Sequence, residues 1–162
     1  MSGSVSRRAL FGGAWHGQPV SIRPPWTPPE AVFTDRCTAC GDCISVCPPK
    51  ILVKGRAGYP VVDFSRGACD FCAACADSCP ETLFADRGAA PWNVKARVGA
   101  DCLSTRGVTC RVCAEWCDAR AIRFRLEVGG RAHPEISDAA CTGCGECIAI
   151  CPANAIAMEE IE

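Results

Sequence analysis

Residues 37–48 read CTACGDCISVCP, placing Cys37, Cys40, Cys43 and Cys47 at gaps of two, two and three residues with a proline behind the last. The same pattern returns at 69–80 as CDFCAACADSCP (Cys69, Cys72, Cys75, Cys79) and at 141–152 as CTGCGECIAICP (Cys141, Cys144, Cys147, Cys151). Three cysteines at two-residue intervals let a loop wrap one compact polynuclear centre and point three sulfurs at it, with neighbouring N–H groups facing its negative charge. The fourth cysteine lies too far round to close the same centre. The proline after it restricts its backbone and turns the chain away.

A further set departs from this rule. Cys102, Cys110, Cys113 and Cys117 lie in CLSTRGVTCRVCAEWCD, with seven residues in the first gap and Asp118 in the proline position. The chain has 16 cysteines in 162 residues, all within these four clumps. With 15 glycines and 12 prolines, and with cysteine inflating a hydrophobic fraction of 49%, the chain needs a covalent or metal staple. Disulfide frameworks spread their partners along a chain rather than clumping them. Structural zinc uses paired C-x2-C knuckles separated by a longer spacer, unlike four cysteines within eleven residues. The C-x2-C-x2-C-x3-C-P run is the spacing of bacterial ferredoxin ligands, whose fourth cysteine serves the other cluster of a pair. The expectation is four [4Fe–4S] clusters on sixteen thiolates. At the set beginning with Cys102, zinc, a [3Fe–4S] cluster or a partly vacant site remains open.

The segments between successive sets span 21, 22 and 23 residues (48–68, 80–101 and 118–140), the mark of an internal repeat. After the first set, ILVKGRAGYPVVDF places two apolar stretches around a glycine-containing turn. After the third, Ile122, Phe124, Leu126 and Val128 alternate up to Gly129-Gly130. Both read as β-hairpins. The stretch from Arg87 to Pro91 reads as a linker. Short helices are expected after each third cysteine, for example Asp42–Val46 and Ala76–Ser78. The predicted class is α+β: two dicluster ferredoxin-like modules in tandem, 33–86 and 87–162 (linker included), behind an extended proline-rich arm, 1–32. Pairing the first set with the fourth and the second with the third remains an alternative.

The arm contains RPPWTPP at 23–29 and reads as extended or polyproline-like. Its Ser6-Arg7-Arg8-Ala9-Leu10-Phe11 resembles the start of a twin-arginine export signal. However, Leu10 to Trp15 is too short and glycine-rich for a signal's apolar region, and no cleavage site follows. This predicts a cytoplasmic protein, with no stretch apolar enough to enter a membrane. A net charge of −1 gives no basic footprint for nucleic acid, and clusters of about two negative charges each make the loaded protein more acidic still. Arg7, Arg8 and Trp26 are candidate partner-binding residues. His16 and His133 belong to no ligand-spaced group, and no catalytic residue is expected.

Beyond the cysteines, SRRALF at 6–11, IRPPW at 22–26, GYP at 58–60, CPETLF at 79–84 and the seven-residue gap after Cys102 carry a more specific likeness. With these features the chain resembles the NapF ferredoxin-type proteins of periplasmic nitrate reductase systems, over nearly its whole length. The resemblance implies a cytoplasmic accessory, not an enzyme, that acts on the immature catalytic subunit of the reductase. It would assist maturation by supplying electrons or cluster components. A general low-potential ferredoxin that exchanges electrons with several redox carriers is the alternative.

Overall fold

The computed structural model describes residues 21–85 and 87–161. Arg7 and Arg8 lie outside the described residues. Each pair of cysteine sets brackets one hairpin, as the apolar alternation predicts. β1 (Leu52–Lys54) pairs antiparallel with β2 (Pro60–Val62), Leu52 opposite Val62. β4 (Ile122–Leu126) pairs antiparallel with β5 (Ala132–Ile136), Ile122 opposite Ile136. The second hairpin outruns its core: Ile122 is buried, but Leu126 is 73% and Val128 98% exposed. The period-2 pattern therefore continues past the point where anything covers it.

Short helices carry the third cysteine of each set: α2 (Asp42–Val46), α3 (Ala74–Asp77), α4 (Val112–Glu115) and α5 (Glu146–Ala149). The first matches the expected span. The second begins two residues before the expected Ala76, so Cys75 lies inside it. Helix α2 packs on α3 and α4 on α5, which joins set one to set two and set three to set four.

Two features were not expected. The stretch after the 87–91 linker carries a strand, because β3 (Val94–Val98) pairs antiparallel with the C-terminal β6 (Ile156–Glu160), Val94 opposite Glu160. Val94, Ala96, Ile156 and Met158 then join Ile122 and Phe64 in the larger hydrophobic core. In addition, the end of the arm is helical: α1 (Glu30–Arg36) starts inside the span expected to be extended. Glu30 in its first turn and Arg36 in its last suit the helix dipole, and Phe33 buries its face at 1% exposure.

Residues 21–29 are irregular yet docked. The Ile22 carbonyl accepts the Val62 N–H at 2.8 Å, so the arm borders β2. Arg23 forms an ion pair with Glu30, donates to the Pro60 carbonyl at 3.1 Å, and lies over the Phe33 and Tyr59 rings. Trp26 is buried, with its indole N–H on the Ala89 carbonyl at 3.2 Å and its backbone bonded to Ala85 and Pro91. The part of Trp26 that the structure shows is therefore internal packing, not an exposed contact.

Candidate iron–sulfur centres

The cysteine-bearing loops owe their curvature to left-handed backbone positions. Ala39, Phe71 and Gly143 between first and second cysteines have positive φ, as do Gly41, Ala73 and Gly145 between second and third. Such residues turn successive N–H groups to one side and form an anion-binding concavity. Set three has its positive φ in the first gap at Gly107 and none in the second, where Arg111 before α4 has φ −135°. All four sets share a second device. Lys50, Thr82, Arg120 and Asn154, each three residues after the fourth cysteine, have positive φ, and each donates its N–H to that cysteine's carbonyl at 2.8–3.2 Å. Ala121 and Ala155 also point their N–H groups at the Cys117 and Cys151 sulfurs, at 3.3 and 3.4 Å.

These loops enclose four small cavities, each lined by four cysteines. Cys37, Cys40 and Cys43 share theirs with Cys79. Cys69, Cys72 and Cys75 share theirs with Cys47. Cys102, Cys110 and Cys113 meet Cys151. Cys141, Cys144 and Cys147 meet Cys117. The fourth cysteine of every set thus crosses to its partner set's cavity, the arrangement expected of paired cubanes.

The long gap of set three does not remove Cys102 from its quartet. Residues 103–107 close into turns through Arg106 and Gly107, and the buried Ser104 accepts the Ala132 N–H at 3.4 Å through its carbonyl. The excursion is folded against the β4–β5 hairpin, which returns Cys102 to the cavity of Cys110 and Cys113.

The donor set also tests which metal fits. All sixteen thiols are free, so no disulfide closes the cavities. Thiolates around one zinc lie within about 4 Å of one another, given a Zn–S bond of about 2.3 Å. Among the described residues no three Cys, His, Asp or Glu side chains converge in that way. Each cavity instead presents four thiols and at most one carboxylate, the donor set of a cubane. Burial pushes the Cys43, Cys69 and Cys147 thiols up to about 12, and Cys75 and Cys113 up to about 11. Each thiol must lose its proton to bind iron, so iron binding becomes more favourable as pH rises. Assembly from ferrous iron and sulfide is expected to be promoted between pH 7 and about 9, followed as growth of the visible charge-transfer absorption; a pH-independent yield would contradict this.

Lys95 on β3 donates its ammonium to the Cys141 carbonyl, beside the Cys117 cavity. A cation there favours the more negative, reduced state of anything bound in that cavity. Lys95→Met is expected to lower one reduction potential by roughly tens of millivolts in a spectroscopic redox titration. An unchanged set of potentials would count against it.

The two modules meet along a column of edge-on aromatic rings that the sequence did not reveal: Trp26–Phe71 at 6.4 Å, Phe71–Trp92 at 5.7 Å and Trp92–Phe64 at 5.8 Å. Beside this column opens a cleft of about 870 Å³, lined by Cys69 and Phe71 from one module and by Trp116, Asp118, Cys144 and Glu146 from the other. Trp116 is 59% exposed at its wall.

A 4Fe-4S dicluster domain matches residues 25–84, and a second 4Fe-4S dicluster domain matches residues 107–155. Two such domains and sixteen cysteines fit four [4Fe–4S] clusters. The chain is 41% identical over 155 residues to the ferredoxin-type protein NapF of Escherichia coli K12, covering 96% of this chain and 94% of that one. It is 47% identical over 143 residues to NapF of Haemophilus influenzae, covering 88% and 81%. A methylamine utilization ferredoxin-type protein, MauM of Paracoccus denitrificans, is 32% identical over 164 residues, covering 90% and 73%.

Proposed function

Because this chain belongs to the NapF family of ferredoxin-type proteins, we propose that it is a four-cluster accessory that assists cytoplasmic maturation of the periplasmic nitrate reductase catalytic subunit. It would do so by supplying electrons or by helping to assemble a cluster. The protein is a ferredoxin-type carrier rather than an enzyme. The observation that supports the proposal is the crossed lining of the four cavities, in which each of the sixteen cysteines belongs to one quartet.

When bound, [4Fe–4S] clusters accept and release single electrons at potentials set by charge, hydrogen bonding and burial. The chain supplies those settings. Cys43, Cys47, Cys75 and Cys147 are buried, which keeps water from one side of their quartets. The left-handed turns curve the ligand loops into the concave form that favours anions, and Lys95 sets a cation on the Cys141 carbonyl. The cleft reaches Cys69 and Cys144, so a partner seated in it touches one quartet of each module. Arg7 and Arg8 belong to the proposal as a segment for recognising the partner. Trp26 contributes by fixing the chain that follows them.

The decisive test is capture of the catalytic subunit from a cytoplasmic extract by the full chain and by a chain lacking residues 1–20. A cut at residue 32 would also strip Ile22 and Trp26 from the first module and confuse recognition with stability. Capture by the full chain and its loss in the truncated one support the proposal. A second reading, a general low-potential carrier, is favoured by the likeness to MauM, a protein named for a different process. That reading wins if neither form captures the subunit while the reduced protein passes electrons to unrelated carriers.

A further inference from the structure

Two modules joined by a linker need not communicate, yet here three contacts converge on one loop, residues 142–145 of the last cysteine set. The Cys69 N–H donates to the Cys144 carbonyl at 2.8 Å, the Trp92 indole donates to the Thr142 carbonyl at 3.1 Å, and the Phe64 ring lies directly on Gly145. Cys69 and Phe64 come from the first module. Gly145 has φ +90°, and a Cβ there would clash with the edge of the Phe64 ring. Phe64 itself is only 6% exposed and stacks edge-on against Trp92. The junction is thus closed tightly enough that a single methyl group has no place in it.

We propose that the Cys69–Cys144 hydrogen bond, held shut by Phe64 seated on Gly145, is the electronic junction between the modules, so that four centres act as one relay rather than two separate pairs. This rests on the four-cluster assignment. Cys69 lines the cavity of Cys47, Cys72 and Cys75, while Cys144 lines that of Cys117, Cys141 and Cys147. A continuous run of covalent bonds, interrupted by one hydrogen bond, therefore connects the two sulfurs, and electrons tunnel better along such a run than across a gap. In the step itself one electron leaves a reduced centre, [4Fe–4S]+ becoming [4Fe–4S]2+, and enters its neighbour, which changes from 2+ to +. No proton moves and no bond breaks. Phe64 is a positioning residue that holds the two loops in register.

The test uses the full chain, assembled anaerobically, assayed for iron and sulfide, and reduced with dithionite. In the wild type the electron paramagnetic resonance spectrum should show spin–spin broadening and fast relaxation from interaction between modules. Phe64→Ala should keep all four clusters but lose that component, leaving the spectrum of two independent pairs. Phe64→Leu, which refills the seat, should restore it, and Gly145→Ala should lose it by an independent route. Unchanged broadening and relaxation in Phe64→Ala and Gly145→Ala at full cluster content would overturn the junction, even if both variants melt earlier. A wild type short of iron and sulfide would overturn the cluster assignment, and the junction with it, before any spectrum is compared.

Discussion

Replacing Cys79 with serine is expected to remove the cluster of Cys37, Cys40 and Cys43, not the one beside its own set. Cys79 follows Cys69, Cys72 and Cys75 in sequence, but it lines the first set's cavity. The fourth cysteine of the first set, Cys47, takes the reciprocal place. Serine retains shape but offers a much harder, less acidic oxygen to iron, so the quartet loses a thiolate and its cluster becomes labile. The neighbouring cavity keeps four thiols. Iron and sulfide should fall by about a quarter, one cluster in four. Iron-selective spectroscopy on Cys79→Ser combined in turn with Cys40→Ser or Cys72→Ser identifies which cavity was emptied. The Cys40 combination should cost nothing further, whereas the Cys72 combination should cost a second cluster. The opposite order would mean that each set closes its own centre.

The second large effect concerns the fold itself. Removal of the clusters by chelation and oxidation is expected to unfold both modules, because the cavities occupy the places where a core would otherwise be. In the first module the buried group is Cys43, Cys47, Ile51, Leu52 and Cys75, so three of five members are cavity-lining thiols. Losing the clusters removes the four-way thiolate cross-links that close each cavity and leaves these half-buried thiols with nothing to pack on. The short strands and helices of four to seven residues cannot make up that loss, since elements of this size are marginal without packing. Far-ultraviolet circular dichroism and hydrogen exchange should show cooperative loss of structure on chelation and recovery on reconstitution. A metal-free chain that kept slow exchange in β4 and β5 would contradict this.

How much of this was legible in the sequence follows from how local each signal is. The cysteine gaps announced the cavities because ligand spacing is a matter of a few residues of backbone. The β1–β2 and β4–β5 hairpins were legible for the same reason: Leu52–Lys54 and Ile122–Leu126 find their partners just across a glycine-bearing turn. β3 was not, because VKARV carries two charges and its partner begins at Ile156, more than fifty residues on. Helix α1 was masked by the prolines before it, and only the structure shows Phe33 filling the first module. Trp26 reads from sequence as a partner contact, because nothing in its neighbourhood indicates that Phe71, Trp92 and Phe64 complete a column with it. The irregular set was read as the one most able to lose a ligand. The turns at 103–107 and the Ser104–Ala132 bond show how a seven-residue gap still delivers Cys102 to its quartet.

We propose that sixteen thiolates in four crossed quartets hold four cubanes. The most direct measurement is quantitative iron, acid-labile sulfide and zinc analysis of the full chain purified without oxygen. It should find about sixteen irons and sixteen sulfides per chain, four of each for every [4Fe–4S] cluster, and negligible zinc. Abundant zinc with little sulfide would contradict it.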